Sequence, residues 1–226
     1  MKTLLLICFG LIVSFNLNAQ SQNPTLNSNP KDWKNLFGEN LENAQFDPSI
    51  WKDSAGVLTA SKDESIWSTA KYDNFILDLD FQNANATNSG VIVHATDIKE
   101  WIPHSVEIQI ADDYSEVWGK SDPTWQCAAI FGHQAATNKD LKKPGEWNHF
   151  TITCIGKKIK VELNGRLVNE CNMDDFTSSK KNPNGSDIPA WLYNPMSELE
   201  LHGYIGLQGK HAGAPIYFKN IKIKTL

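Results

Sequence analysis

Ser105-Val106-Glu107-Ile108-Gln109-Ile110-Ala111-Asp112-Asp113 is the stretch on which the fold turns. Val106, Ile108 and Ile110 alternate with Glu107 and Gln109. Strand side chains alternate with period two, so the three apolar residues share one face and the acid and amide share the other. Such a strand suits an antiparallel sheet with one face on a core and the other on a groove. Asp112 and Asp113 follow where the strand should end, which sets Glu107, Gln109 and Asp112 in one line along the groove. An ordinary solvated strand face is the plain alternative. The surroundings weigh against it: Asn88-Ser89-Gly90, a set of loop tryptophans, and His133 after Gly132.

Outward from this strand the same period recurs. Asp73–Gln82 places Phe75, Leu77, Leu79 and Phe81 on one face and Asp78, Asp80 and Gln82 on the other. Gly90–Ala95 puts Val91 and Val93 inward and Ile92 and His94 outward. Ala128–Phe131 reads as a further strand. His149–Ile155, Lys158–Leu163 and the residues up to Cys171 read as a three-strand meander, turned at Asn164-Gly165. Gly56–Ala60, Ser65–Thr69, Gly203–Gln208 and Pro215–Lys224 complete the set, while Asn172–Leu201 is a long polar excursion with three prolines. Many short strands joined by turns predict a two-sheet β-sandwich.

The chain has 226 residues and net charge −5. Met1-Lys2, the apolar run Leu4–Val13 and the small residue before Gln20 predict a signal peptide over 1–19, and hence export to the periplasm or the extracellular space. The run is too short to span a bilayer comfortably, so no membrane span is expected after its removal. Residues 20–32, rich in Asn, Ser, Gln and Pro, read as a flexible leader, and 33–226 as a single domain. Without Lys2 the charge is −6, and Arg166 is the only arginine. An acidic, arginine-poor chain argues against nucleic acid and favours a neutral ligand. Cys127, Cys154 and Cys171 remain after the signal. The meander register separates Cys154 from Cys171 by two strand spacings, on the order of 9–10 Å, so free buried thiols are expected.

Five motifs stand in order: Asn88-Ser89-Gly90-Val91; Val106 to Asp112; Ala129-Ile130-Phe131-Gly132; Lys143-Pro144-Gly145-Glu146-Trp147-Asn148 with Leu163-Asn164-Gly165; and Gly203-Tyr204-Ile205-Gly206-Leu207-Gln208 leading to Phe218-Lys219-Asn220-Ile221. Together they resemble the 3-keto-disaccharide hydrolase family over nearly all of residues 33–224. The resemblance implies an all-β, two-sheet antiparallel jelly roll of the concanavalin A-like lectin/glucanase type. The chain departs from that family's commonest pattern at Ala128, near His94, and in the longer segment Gly209-Lys210-His211-Ala212-Gly213. Lys210 and His211 thereby join the candidate substrate-binding residues.

The chemistry so implied is cleavage of a 3-keto-glycoside. The ketone acidifies the C2 proton, a base removes it, the enolate expels the C1 substituent, and water adds afterwards. Glu107 is the candidate base, with His133 and Asp112 as its catalytic company. Gln109, Asn88 and His94 are candidates to hold hydroxyls or the ketone oxygen. A divalent metal held by some of Glu107, Asp112, His94 and His133 would polarise the ketone, although no close-spaced histidine pair marks a metal site. Trp101, Trp118, Trp125 and Trp191 fall in loops, where an indole offers a flat apolar face to a sugar, whereas Trp67 and Trp147 read as core. Two other functions stay open. One is an ordinary retaining glycoside hydrolase using Glu107 and Asp112, which needs carboxyls about 5–5.5 Å apart. The other is a non-catalytic carbohydrate-binding domain.

Overall fold

The structure, a computed structural model, describes residues 30–226. The segment read as a signal peptide and the leader up to residue 29 lie outside the described residues. Pro30–Asp32 forms a 3-10 turn. The strands are β1 Lys34–Asn35, β2 Ala44–Gln45, β3 Trp51–Ser54, β4 Val57–Ala60, β5 Ile66–Ser68, β6 Phe75–Asn83 and β7 Asn88–Ala95. They continue with β8 Val106–Ala111, β9 Trp147–Ile155, β10 Lys158–Leu163, β11 Arg166–Asn172, β12 Tyr204–Leu207 and β13 Ile216–Thr225. No described helix is long and apolar enough to cross a membrane.

These strands make two antiparallel sheets, a jelly-roll sandwich. The larger runs β11-β10-β9-β6-β13-β4-β3, with β1 also on β13, and the smaller runs β2-β5-β12-β7-β8. Phe75, Leu77, Leu79 and Phe81 alternate inward from β6 and meet Phe150 and Ile152 of β9 and Phe218 of β13, all fully buried. The Phe81 and Phe150 rings lie 4.6 Å apart. Each such buried phenyl contributes roughly 1.5–3 kcal/mol by its removal from water. From the smaller sheet, Val91, Val93, Val106, Ile108 and Ile110 close the same core.

The meander is as the alternation predicts. Ile159 of β10 faces Cys154 on one side and Cys171 on the other, so the two thiols are held a full strand apart. Cys127, Cys154 and Cys171 are free and buried. Ala128–Phe131 is not a ladder strand. It joins the free edge of β8 through one bridge, Ile130 with Ile108, and through backbone bonds to Glu107 and Gln109. The excursion after β11 is less polar than its composition: Met173, Phe176, Ile188, Leu192, Met196 and Leu199 are buried and pin it to the body. Trp67 is buried, but on the outer face of the small sheet with Ile92 and Ala95, and Trp147 lies partly exposed under the Lys219 ammonium, 4.0 Å from its ring centroid.

One of the register breaks falls in the groove sheet. Between β7 and β12 the register slips: Ala95 faces Tyr204, yet Ile92 faces Gly206. The extra residue is absorbed at His94, whose φ is 57°. A bulge of this kind re-aims a side chain. His94 accordingly turns inward, fully buried, with its ring tilted against Phe75 and its Nδ1 2.6 Å from the Leu201 carbonyl oxygen. Gly203 permits the crossing, because a Cβ there would sit 2.6 Å from the Ala95 nitrogen.

Candidate functional site

The outer face of the small sheet carries a cavity of about 340 Å³. Its floor is Asn88 of β7 with Glu107 and Gln109 of β8, the face that the alternation assigned to a groove. Its walls include Trp101, Trp118, Trp125 and Trp191, all four of the loop tryptophans. Short helical turns hold Trp118 and Trp125 there. Trp118 belongs to the helix Glu116–Gly119 and donates its indole N–H to the Ala86 carbonyl at 2.9 Å. Trp125 ends the turn Pro123–Trp125, with its ring 6.1 Å from Trp191 and 5.9 Å from Phe131. Trp191, nearly half exposed, forms the rim.

Glu107 owes its place to a missing side chain. In the register Glu107 faces Ile92, and its carboxylate leans diagonally over Gly90, where a Cβ would overlap Oε1 and lie 2.7 Å from Cγ. Glycine inside a strand often marks such a close approach. Burial, and after it the charge of Asp63, push the carboxyl up to about 8. Desolvation disfavours the charged form, and a second negative charge adds to the effect. Beside it, Gln109 donates through Nε2 to the Asn88 side-chain oxygen at 3.3 Å and to the Trp125 carbonyl at 3.2 Å. The Oε1 atoms of Gln109 and of Gln208, which also lines the cavity, are buried without a partner among the described residues. Buried acceptors are normally satisfied, so each is a place for a ligand donor. His211 closes one side, held by a backbone bridge to Asn88.

A second, wider hollow of about 630 Å³ adjoins the first, sharing Trp101, Ile102, Gln208 and His211 and adding Asp63, Glu64 and Trp67. The smaller cavity is the one that contains Glu107 and the indole walls, and it is the candidate active site. Phe131, Ile102 and Gln208 also line the cavity, and no local pattern marks them as site residues. Gly90 stands in the motif Asn88-Ser89-Gly90-Val91, whose residues alone do not reveal that it seats Glu107.

Four residues expected at the site stand elsewhere. His94 is turned into the core by the bulge described above, and burial lowers its basicity. His133 is buried, with Nδ1 3.1 Å from the Asn182 side-chain oxygen and its ring edge-on to Phe176, so the excursion after β11 covers it. Burial lowers its basicity too. Asp112 caps the loops at the strand end, accepting the Ala86 N–H at 2.8 Å and the Tyr114 N–H at 3.1 Å. Lys210 lines neither cavity, although its backbone N–H ties the segment to the Lys62 carbonyl at 2.9 Å. The set imagined for a divalent metal therefore does not fit: Glu107, Asp112, His94 and His133 do not converge. Among the described residues no group of three or more His, Cys, Asp or Glu side chains is placed to hold an ion.

Comparison with known proteins gives consistent results. The family model for the 3-keto-alpha-glucoside-1,2-lyase-like domain matches residues 32–224. A crystal structure of a Parabacteroides distasonis protein that carries a glycosyl hydrolase designation is 56% identical, covering 86% of this chain and 99% of that one, with a TM-score of 0.84. A second protein of that organism under the same designation is 22% identical with a TM-score of 0.69 over 88% and 98% of the two chains, and bears on the fold alone. So does a Bacillus subtilis protein with a galectin-like fold, 12% identical with a TM-score of 0.52 over 85% and 94%. No curated protein matches.

Proposed function

The chain belongs to the 3-keto-alpha-glucoside-1,2-lyase-like family, and on that premise we propose that it is an exported enzyme that cleaves 3-keto-glycosides by elimination and hydration. The observation that carries the reading is Glu107: a carboxyl at the floor of an indole-walled cavity, raised to about 8, to which no group among the described residues donates. A base for a carbon acid works best when its pKa lies near the working pH, and burial supplies that shift. Glu107 takes the C2 proton. The electron pair left on C2 enters conjugation with the ketone, and the C1–O bond breaks with its electrons leaving on the departing oxygen. Water then adds at C1 while Glu107 returns its proton to C2, so the net change is hydrolysis. The free Gln109 and Gln208 oxygens accept from the sugar's hydroxyls, and the indoles stack on its C–H faces. The N-terminal apolar run Leu4–Val13 supports export.

The retaining-hydrolase reading loses its second carboxyl, because Asp112 is spent on two backbone N–H groups. A non-catalytic binding domain would use the indoles but gives no reason for a half-buried carboxyl to which no described residue donates. The deciding experiment compares wild type with Glu107→Gln on a simple glucoside and on its 3-keto derivative. Release from the keto sugar alone, lost in the variant, is expected. Binding of both sugars with release from neither would replace the proposal with the binding-domain reading.

A further inference from the structure

Asp63 and His211 meet at the wall between the two cavities, 2.6 Å apart from Oδ2 to Nδ1. Each side chain is nearly half exposed. Surface pairs of this kind are ordinarily loose. This one is built in by its backbone. The Lys210 N–H donates to the Lys62 carbonyl at 2.9 Å. Gly209 lies so close to the same loop that a Cβ would stand 2.5 Å from the Glu64 carbonyl oxygen. Glu64 is held in turn, because its carbonyl accepts the Trp51 indole N–H at 2.9 Å. On the other side His211 bridges Asn88, and Gln208 donates its N–H to Gly90 at 2.9 Å. Two segments distant in sequence are thus clamped so that one imidazole meets one carboxylate beside Gly90, where the Glu107 carboxylate lies.

The pairing has a chemical consequence. With Nδ1 bonded to Asp63, the other ring nitrogen is the one free to exchange a proton, and no protein partner to Nε2 is seen among the described residues. Asp63 fixes the ring's tautomer and orientation, as a carboxylate behind a working histidine does. Along β7, Asn88 and Gly90 are two residues apart, and His211 lies one strand spacing further out. Glu107's seat and the His211 backbone are therefore separated by roughly 8 Å in the sheet plane, a gap that a pyranose can bridge.

We infer that His211 is the second catalytic residue of this site, the acid that protonates the departing oxygen, and that Asp63 is its positioning residue. The inference rests on the elimination reading above. As the C1–O bond breaks, the imidazolium gives its Nε2 proton to the leaving oxygen, which departs as an alcohol. The neutral ring then takes a proton from the water that attacks C1, which restores the imidazolium, while Glu107 reprotonates C2. Protons and electrons balance over the cycle without a further reagent. The arrangement also assigns the two hollows: the keto sugar sits over Glu107 between the indoles, and its leaving group passes His211 toward Asp63 and Glu64.

The test is leaving-group dependence. Wild type, His211→Gln, Asp63→Asn and Glu107→Gln are assayed on the 3-keto forms of methyl and 4-nitrophenyl glucoside, in both anomers. Methoxide needs a proton to leave, whereas nitrophenolate does not. His211→Gln should lower kcat on the methyl glycoside about 100-fold or more and on the nitrophenyl glycoside less than about tenfold. Asp63→Asn should show the same selectivity to a smaller degree, with Asp63→Glu partly restoring it. Glu107→Gln should lose both substrates. Equal loss on both substrates in His211→Gln, or no loss on the methyl glycoside, overturns the role of His211 while the elimination reading stands. Release of neither alcohol by wild type overturns both. Should His211→Gln not fold, Asp63→Asn carries the same comparison.

Discussion

Gly90→Ala separates the seat of Glu107 from the stability of the sheet. Gly90 lies in β7 with strand geometry, so alanine meets no backbone penalty, and the substitution reduces the freedom of the unfolded chain by about 0.4–1 kcal/mol. The new Cβ would, however, overlap Glu107 Oε1 and stand 2.7 Å from Cγ and 2.8 Å from Cδ. These are the far atoms of a flexible side chain, which can swing away at the overpacking cost of about 1–3 kcal/mol. The two effects leave a net loss of roughly 0–2.6 kcal/mol, a fall in Tm of no more than about 10 °C for a domain of this size. Activity responds differently, because the carboxylate leaves the place where the C2 proton would be taken. A positioned base is worth about 10²–10⁴-fold, or roughly 2.7–5.4 kcal/mol of barrier. The expected variant is folded, binds the 3-keto-glycoside within severalfold of wild type, and turns it over at least about 100 times more slowly. Thermal melting, ligand titration and single-turnover release of the aglycone measure the three quantities. A Gly90→Ala chain with wild-type turnover would show that the carboxylate is not needed where it lies and would refute the assignment of the base.

Trp125→Ala removes one indole wall while keeping the backbone carbonyl that Gln109 uses. It should weaken substrate binding about 2- to 10-fold, the worth of one aromatic contact, with kcat little changed, as read by KM against kcat. His149 bridges Asp78 and Asp80, and first the Asp78 hydrogen bond, against a burial cost, raises it to about 9. Its stabilisation is complete below the unfolded value near 6.5 and lost as pH rises through about 9; partial exposure limits it to about 1 kcal/mol, so chemical denaturation should show that loss between pH 6.5 and 9.5 and His149→Gln should abolish the slope. Cys127 and Cys154 are fully buried and Cys171 nearly so, and burial raises all three thiols. A thiol reagent should therefore label them only after denaturation, and rapid labelling of the native chain would contradict the packing.

The groove face was legible because one strand carries its whole signal locally: Val106, Ile108 and Ile110 against Glu107 and Gln109 need only period two. The four tryptophans were legible as residue types in loops, and the sheet gathers them at one mouth. Asp63, Gln208 and Phe131 were not legible, because their approach depends on pairings across the chain that no local pattern contains. His94 failed for a different reason. Period two assumes an unbroken ladder, and one extra residue in β7 opposite Gly206 turned the imidazole from the groove to the core. His133 failed because a stretch polar in composition buries six apolar anchors and closes over it. Gly90 was the signal left unused: a glycine inside a fully buried strand, opposite the acid-bearing strand, asks what lies above it.

The protonation of Glu107 distinguishes the chemistries that this cavity could host. With a pKa of about 8, roughly one carboxyl in ten is ionised at pH 7. An enzyme that used Glu107 as an acid toward a glycosidic oxygen would be nearly fully competent there, and its kcat/KM would fall as pH rose through 8. An enzyme that uses it as a base toward a C–H bond works from the ionised tenth, and its kcat/KM rises up to about pH 8 before levelling. The tenfold shortfall in population is the cost of a stronger base, which a carbon acid requires and a solvated carboxylate near 4.5 would not provide. The elimination reading therefore commits to a rising limb, with its midpoint near 8, on the 3-keto form of 4-nitrophenyl glucoside, whose leaving group needs no proton from His211. Asp63 is the second cause of the shift, after burial, so Asp63→Asn should move that midpoint downward by less than burial moved it up. A falling limb over the same range would assign Glu107 the acid's part, and the elimination mechanism would be wrong even if the cavity bound the sugar as described.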